Sequence, residues 1–209
     1  MIRTLYYCIK EILSIIFYLP HIVSYYFSSN RLTIKEDLNA LCTFRRIKGN
    51  TISQLARCLA NDKYFRRLYY CRIGRISQLF SWYSRGETTF FPSNCIEGGC
   101  LFFHSYSTYI NANKIGKGFV CRNCTTIGNK SDDSLSAKPT IGNNVCLGAN
   151  VCIIGNVTVG DNVVIGAGSV VSRSIPPNSV AVGNPAHVIG CYEYYMAKRR
   201  NQMKEKPLL

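Results

Sequence analysis

Between residues 141 and 171 the sequence IGNNVCLGANVCIIGNVTVGDNVVIGAGSVV places an aliphatic residue at every sixth position: Ile141, Leu147, Ile153, Val159, Ile165 and Val171. An α-helix repeats near every 3.6 residues and a half-buried strand every 2, so a beat of six is a multiple of the strand period with a corner added each time. Helix is excluded. A second row of apolar or small residues follows at Val145, Val151, Val157, Val163 and Ser169, and between the rows stand Asn144, Asn150, Asn156, Asn162 and Gly168. Asn and Gly enter the left-handed backbone region at low cost, so each marks an expected corner. Gly142, Gly148, Gly160 and Gly166 add a second small residue per unit. Short flat strands joined by such corners, each pointing one hydrophobe inward, make a parallel β-helix built from hexapeptides.

The beat continues upstream with Ile115, Cys121 and Ile127 in one phase and Ile96 and Phe102 in another, one residue being inserted between them. From Ile127 to Ile141 the interval is 14, two more than two units need, and it holds the polar stretch NKSDDSLSAKP. That stretch reads as a loop ejected from the coil, and loops of this kind in compact domains are more often site-forming than decorative.

Residues 1–85 lack the six-residue beat and show helical texture. Pro20 breaks or kinks the first helix. The uncharged run Ile12 to Phe27 has 16 residues, short of the ~20 that span a bilayer. It reads either as an interfacial helix on acidic lipid, flanked by Arg3, Lys10 and Arg31, or as a helix packed on its neighbours. Thr51 to Gln54 has the pattern of a capping box. After the coil, RSIPPNSVAVGNPAHVIG ends the repeat and returns as a strand, and the tail reads as a helix followed by a disordered end, with Lys198, Arg199 and Arg200 on a solvated face. The expected organisation is therefore a helical region (1–85), a β-helix (86–190) and a C-terminal helix and tail (191–209).

The net charge of +14 divides as 14 Lys/Arg against 5 Asp/Glu in residues 1–95 and 11 against 6 in 96–209. No nucleic-acid-binding module accompanies it, and the basic residues are dispersed, so an anionic membrane surface or cofactor fits better than nucleic acid. Of the 11 cysteines, Cys121, Cys146 and Cys152 occupy repeat positions and act as small hydrophobes. The lone CxxC, Cys121 to Cys124, has no second pair for zinc, so no metal is expected. An odd count without a cleavable leader favours a reducing cytoplasm.

Three stretches carry a resemblance: YYCRIG (69–74) before the coil, the FFHS unit in an early turn, and VVIGAGSVVSRSIPPNSVAVGNPAHVIG closing it. In these the chain resembles the left-handed β-helix acyltransferases of the hexapeptide-repeat type, serine acetyltransferase-like branch, over roughly residues 60–190. The resemblance implies a mainly β fold, a left-handed parallel β-helix preceded by helices. It also implies direct acetyl transfer from acetyl-CoA to a hydroxyl, with a histidine as general base. Of His21, His104 and His187, only His104 matches that position. The same resemblance implies a homotrimer with acetyl-CoA between neighbouring coils, against Gly128, Ala149 and Ala167. His187 falls where the family often carries a basic residue near the cofactor.

The chain departs from serine acetyltransferase on the acceptor side. The acidic partner of the catalytic histidine falls at Thr89, with Glu87 two residues away. The carboxylate before that histidine is Phe103, and the Arg-His pair of the ejected loop is Ala137 and Lys138. These changes remove charges that recognise both ends of serine, though Lys138 can still pair with a carboxylate. A sugar of a surface polysaccharide or its precursor is the expected acceptor. Serine O-acetylation and a non-catalytic, membrane-associated trimeric scaffold are the alternatives. A β-helix carbonic anhydrase is set aside, because the coil offers one histidine where that metal site needs three.

Overall fold

The computed structural model describes residues 2–74, 95–130 and 138–205, with side-chain environments for residues 9–198 among them. Two compact units divide the chain: residues 1–86 with 92–102, and residues 87–91 with 103–209. The segment 92–102, which holds the first two hexad residues Ile96 and Phe102, thus groups with the helices and not with the coil expected to start at 86.

The first unit carries helices α1 (Ile2–Phe17), α2 (Leu19–Phe27), α3 (Arg31–Arg45), α4 (Thr51–Asn61) and α5 (Lys63–Ile73). The chain breaks at Tyr18, so Pro20 falls in the first turn of α2, where its missing N–H costs nothing. The cap of α4 is one residue earlier than the capping-box pattern implies. Asn50 accepts from the Ser53 amide at 2.9 Å, while the Gln54 side chain donates to the Ile47 carbonyl. Asp62 caps α5 by accepting from the Tyr64 and Phe65 amides, and it also receives Arg45 at 2.6 Å. Tyr25, Ile34, Leu38, Leu55, Leu59 and Tyr69 fill the core.

Buried Arg72 ties 96–100 to these helices. It donates to Asp37 at 3.0 Å and to the carbonyls of Ile96 and Glu97, while Asp37 accepts from the Cys100 amide. Burial pushes the Asp37 carboxyl up to about 6 against the pull of Arg72 and that amide. A buried ion pair is tolerable only when its remaining hydrogen-bonding capacity is used in this way.

In the second unit the strands are short and stack coil on coil. β1 (Leu101–Phe103) is divided between the units. After it, β2 (Tyr109–Ile110), β5 (Thr126–Gly128), β8 (Cys152–Ile154) and β11 (Val170–Val171) form one parallel side. β3 (Lys114–Ile115), β6 (Thr140–Ile141) and β9 (Thr158–Val159) form another. β4 (Val120–Arg122), β7 (Cys146–Leu147), β10 (Val164–Ile165) and β12 (Ser179–Val182) form the third, with β13 (His187–Cys191) antiparallel at its edge. Helix α6 (Tyr192–Glu205) follows. Ile141 pairs with Val159 and Leu147 with Ile165, so one full coil takes 18 residues. The inward residues Ile115, Cys121, Ile127, Ile141, Leu147, Ile153, Val159, Ile165 and Val171 are at most 1% exposed. Every sixth residue is therefore core, and the aliphatic beat is the packing of a three-sided prism.

We number the corners in chain order: the first follows β1, β4, β7 and β10; the second follows β2, β5, β8 and β11; the third follows β3, β6 and β9. Positive φ occurs at Asn144, Asn150, Asn162 and Gly168 as expected, but at Gly155 in place of Asn156. Glycine takes the strained place there because it has no Cβ to clash. The third corner is laced by amides: Asn144 donates to Asn162 at 3.0 Å and Asn162 to Asn178 at 2.9 Å. The phase shift seen upstream resolves into two changes. Eight residues separate inward Phe102 from Ile110, and five separate Ile110 from Ile115, against six between Cys121 and Ile127. Two extra residues therefore lie in the first corner of the first coil.

Candidate active site

That enlarged corner holds His104. Its backbone is left-handed, φ 53°, and its side chain is exposed. Histidine enters this region more readily than most residues, but at a cost that a functional position can carry. The Tyr106 amide donates to the His104 carbonyl at 2.7 Å, closing the turn. Below it the first corners are stitched together: Cys124 N–H to Tyr106 O at 3.0 Å, Asn150 N–H to Asn123 O at 3.0 Å, and Gly168 N–H to Ala149 O at 2.8 Å. The Asn123 amide also reaches the Tyr106 hydroxyl. Hydroxyls inside the corners lock them, Thr125 to the Arg122 carbonyl and Ser169 to the Gly166 carbonyl. Tyr106, Asn123, Ala149 and Ala167 thus stand on one column, with coils spaced ~4.8 Å apart, and His104 lies two residues before that column in the same enlarged corner.

Beside this column runs a groove of about 420 Å³ lined by Arg122, Gly148, Gly166, Ala167, Tyr195 and Lys198, among others. Its small residues are required by the coil itself. A Cβ on Gly148 would stand 2.5 Å from the Ala167 nitrogen, a distance real Cβ atoms do not adopt. Phe103 is half-buried, and the Arg122 guanidinium lies over its ring at 5.8 Å from the centroid.

Not every expected residue joins this column. Gly128 lies at the second corner, where its carbonyl accepts from the Gly155 amide. Lys138 is at the second corner too, its carbonyl accepting from Asn113. His187 is exposed on β13, its ring 3.2 Å from where a Cβ on Gly183 would sit, and Gly183 continues the first-corner column through its carbonyl bond from Val170. Glu87, Thr89 and Ala137 lie outside the described residues. Cys121 is fully buried, and burial pushes its thiol up to about 12. Among the described residues no three His, Cys, Asp or Glu side chains gather as a metal site.

Arg122, Tyr195 and Lys198 were not singled out for the site from sequence, and Lys198 reads there as part of a solvated face. Arg122 had a signal. Phe103, Arg122, Gly148 and Gly166 each follow an inward residue, so the hexad alignment already sets two bulky side chains where later coils have glycine.

Fold and site together define a left-handed parallel β-helix of the hexapeptide-repeat class. Residues 138–173 match the family model described as bacterial transferase hexapeptide (six repeats). Among curated proteins the chain is similar to "Putative colanic acid biosynthesis acetyltransferase WcaB" of Escherichia coli strain K12, 49% identical over 86 residues, 41% of this chain and 52% of that protein. The chain thus spans about half the length of the curated relatives it matches. Among solved structures it is similar to the soybean serine acetyltransferase apoenzyme, with TM-score 0.59, 26% identity, and coverage of 77% of this chain and 69% of that one. A serine acetyltransferase from Brucella abortus strain S19, in complex with coenzyme A, shares the fold at TM-score 0.61, with 22% identity and coverage of 77% and 68%.

Proposed function

We propose that the protein is an acetyl-CoA-dependent O-acetyltransferase in which His104 accepts the proton of the attacking hydroxyl. A hydroxyl ionises far above neutral pH and attacks a thioester poorly. An imidazole that takes its proton as the C–O bond forms speeds the step by about 10² to 10⁴. The observation that carries the reading is the first corner: an exposed imidazole in its enlarged coil, Ala149 and Ala167 in the coils that follow, and beside them a groove whose floor includes Gly148, Gly166 and Ala167. That groove suits a long, flexible thioester arm. Arg122 and Lys198 supply positive charge for anionic groups, and among the described residues no acidic side chain lines it.

The acceptor in this reading is a hydroxyl of a saccharide, a surface polysaccharide or its precursor. The similarity to WcaB supports it, as does Phe103 standing where the resemblance places a carboxylate for an amino-acid substrate. Gly128 and Lys138 lie at the second corner and His104 at the first, so a site using all of them draws on two copies; a homotrimer supplies that arrangement. Calorimetry with acetyl-CoA, and transfer assayed by mass spectrometry on serine, nucleotide sugars and oligosaccharides with wild type and His104→Ala, tests the reading. Transfer to serine alone returns the serine O-acetyltransferase alternative, and binding or folding without any transfer returns the scaffold.

The α1–α2 face supports placement on an acidic lipid surface at the inner side of the membrane. Ile12, Leu13, Ile16, Phe17, Leu19 and Phe27 are each more than half exposed, and Lys10 and Arg31 flank them, in a unit carrying 14 Lys/Arg against 5 Asp/Glu. Among the described residues no helix is long and apolar enough to cross a membrane. Sedimentation with phosphatidylglycerol vesicles and not with phosphatidylcholine vesicles, lost in Ile16→Asp, is expected. Binding to neither, with a larger assembly in gel filtration, assigns the face to a second copy.

A further inference from the structure

The charge at the head of the groove is the reverse of what an ammonium-bearing acceptor needs. Phe103 immediately precedes His104, and the Arg122 guanidinium lies over the Phe103 ring. The arginine's own backbone is held in place: its carbonyl accepts from Thr125 at 2.9 Å and from the Cys121 thiol at 3.3 Å. Among the described residues no carboxylate pairs with its exposed side chain. Arg122 belongs to β4, beside the corner that carries Cys124, and the Cys124 amide is bonded to the turn that His104 opens. The other cation in the groove, Lys198, comes from α6, which contacts β12 and β13 at the far end. From β4 to β12 is three strand steps, roughly 14 Å. The two cations therefore rise from opposite ends of that side of the prism.

We propose that Arg122 is an acceptor-binding residue that selects a saccharide carrying a carboxylate or phosphate close to the hydroxyl that is acetylated. This rests on the acetyltransferase reading and narrows its substrate class. A planar guanidinium lodged beside an aromatic ring can offer two parallel N–H bonds to an oxyanion, the geometry in which arginine outperforms lysine. Lys198, on α6, is left to the phosphates of acetyl-CoA. The same guanidinium repels the ammonium of serine.

The test compares methyl glucuronide, glucose 1-phosphate, methyl glucoside and serine as acceptors for wild type, Arg122→Gln and Arg122→Lys. Initial rates of CoA release and product mass are followed at two salt concentrations, with melting temperatures checked throughout. At least one anionic sugar is expected to exceed the neutral glucoside about tenfold in kcat/KM. In Arg122→Gln its KM should rise about 10- to 100-fold, a larger change than in the KM for acetyl-CoA or in the rate on the glucoside. Arg122→Lys should recover part of the loss, and whichever anionic sugar is favoured names the source of the charge. Equal use of charged and neutral sugars by wild type overturns the proposal, as does an Arg122→Gln defect confined to acetyl-CoA. If no sugar is acetylated, titration of the same sugars into the CoA-bound protein decides separately. An Arg122-dependent preference for the anions then stands while the transferase reading falls, and equal binding overturns the proposal.

Discussion

The first and third corners of the prism obey the same backbone rule and carry opposite kinds of side chain. At the third, Asn144, Asn162 and Asn178 bond one another in a ladder that uses up their amides. At the first, Asn150 and Gly168 keep the same left-handed backbone, but the coil above is enlarged by two residues and presents His104 to solvent, with Arg122 and Phe103 alongside. Where the repeat is regular, polar corner residues satisfy each other and stabilise the stack. Where it is interrupted, an imidazole is set at the surface. On the proposed function, reactivity belongs to the irregular coil and stability to the regular ones.

His104→Ala breaks the comparison most sharply. Acetyl transfer should fall by about 10² to 10⁴, equivalent to roughly 3–5 kcal/mol of barrier, with at most about 1 kcal/mol of stability lost to alanine at a positive φ. An equal loss of stability would make the first corner as structural as the third.

The second largest effect extends the contrast to a histidine of the helical unit. His21 is buried, 2.8 Å from the Tyr70 hydroxyl. Burial first, and then Arg66, hold its pKa down at about 4 against an ordinary 6.5. The unfolded chain binds the proton more readily, so the stabilisation from neutral His21 is complete above pH 6.5 and is lost as pH falls from 6.5 to 4. Over that window about 3 kcal/mol should disappear. Hydrogen exchange of α2 and α5 amides reads the loss, and His21→Leu should flatten it.

A smaller effect tests the groove floor. Gly148→Ala sets a methyl against the backbone of Ala167, and overpacking at this contact should cost about 2–3 kcal/mol, measured by urea unfolding, and weaken acetyl-CoA binding in calorimetry. Smallest is Asn162→Ala in the ladder. It loses two side-chain bonds and puts alanine at a positive φ, for about 1–2 kcal/mol, and transfer rates should not change.

Much of this is legible in the sequence. Every hexad residue from Ile115 to Val171 is core, the corners at Asn144, Asn150, Asn162 and Gly168 are left-handed, and the fold class follows. Ala149 and Ala167 recur at one place of the repeat and do share a column. The departures have local reasons. Ser53 bonds Asn50 and not Thr51, because a cap lies outside the helix it starts, and neighbouring polar residues look alike in sequence. Gly155 displaces Asn156 because either residue can turn that corner. Gly128 and Ala149 are both small and both in the coil, but six-residue spacing does not say which of three corners a residue falls on once loops are inserted.

The amino-acid order alone determined the prism, because a period of six admits one solution that buries each aliphatic and places Asn or Gly where the chain bends. Only the tertiary structure decided which corner meets which. The stacking of coils 18 residues apart, and the two-residue enlargement around His104, bring Arg122 over Phe103 and line Tyr106 up with Asn123, Ala149 and Ala167. Those neighbours are distant along the chain, and their proximity is set by strand pairing and insertion length, which no local residue pattern encodes.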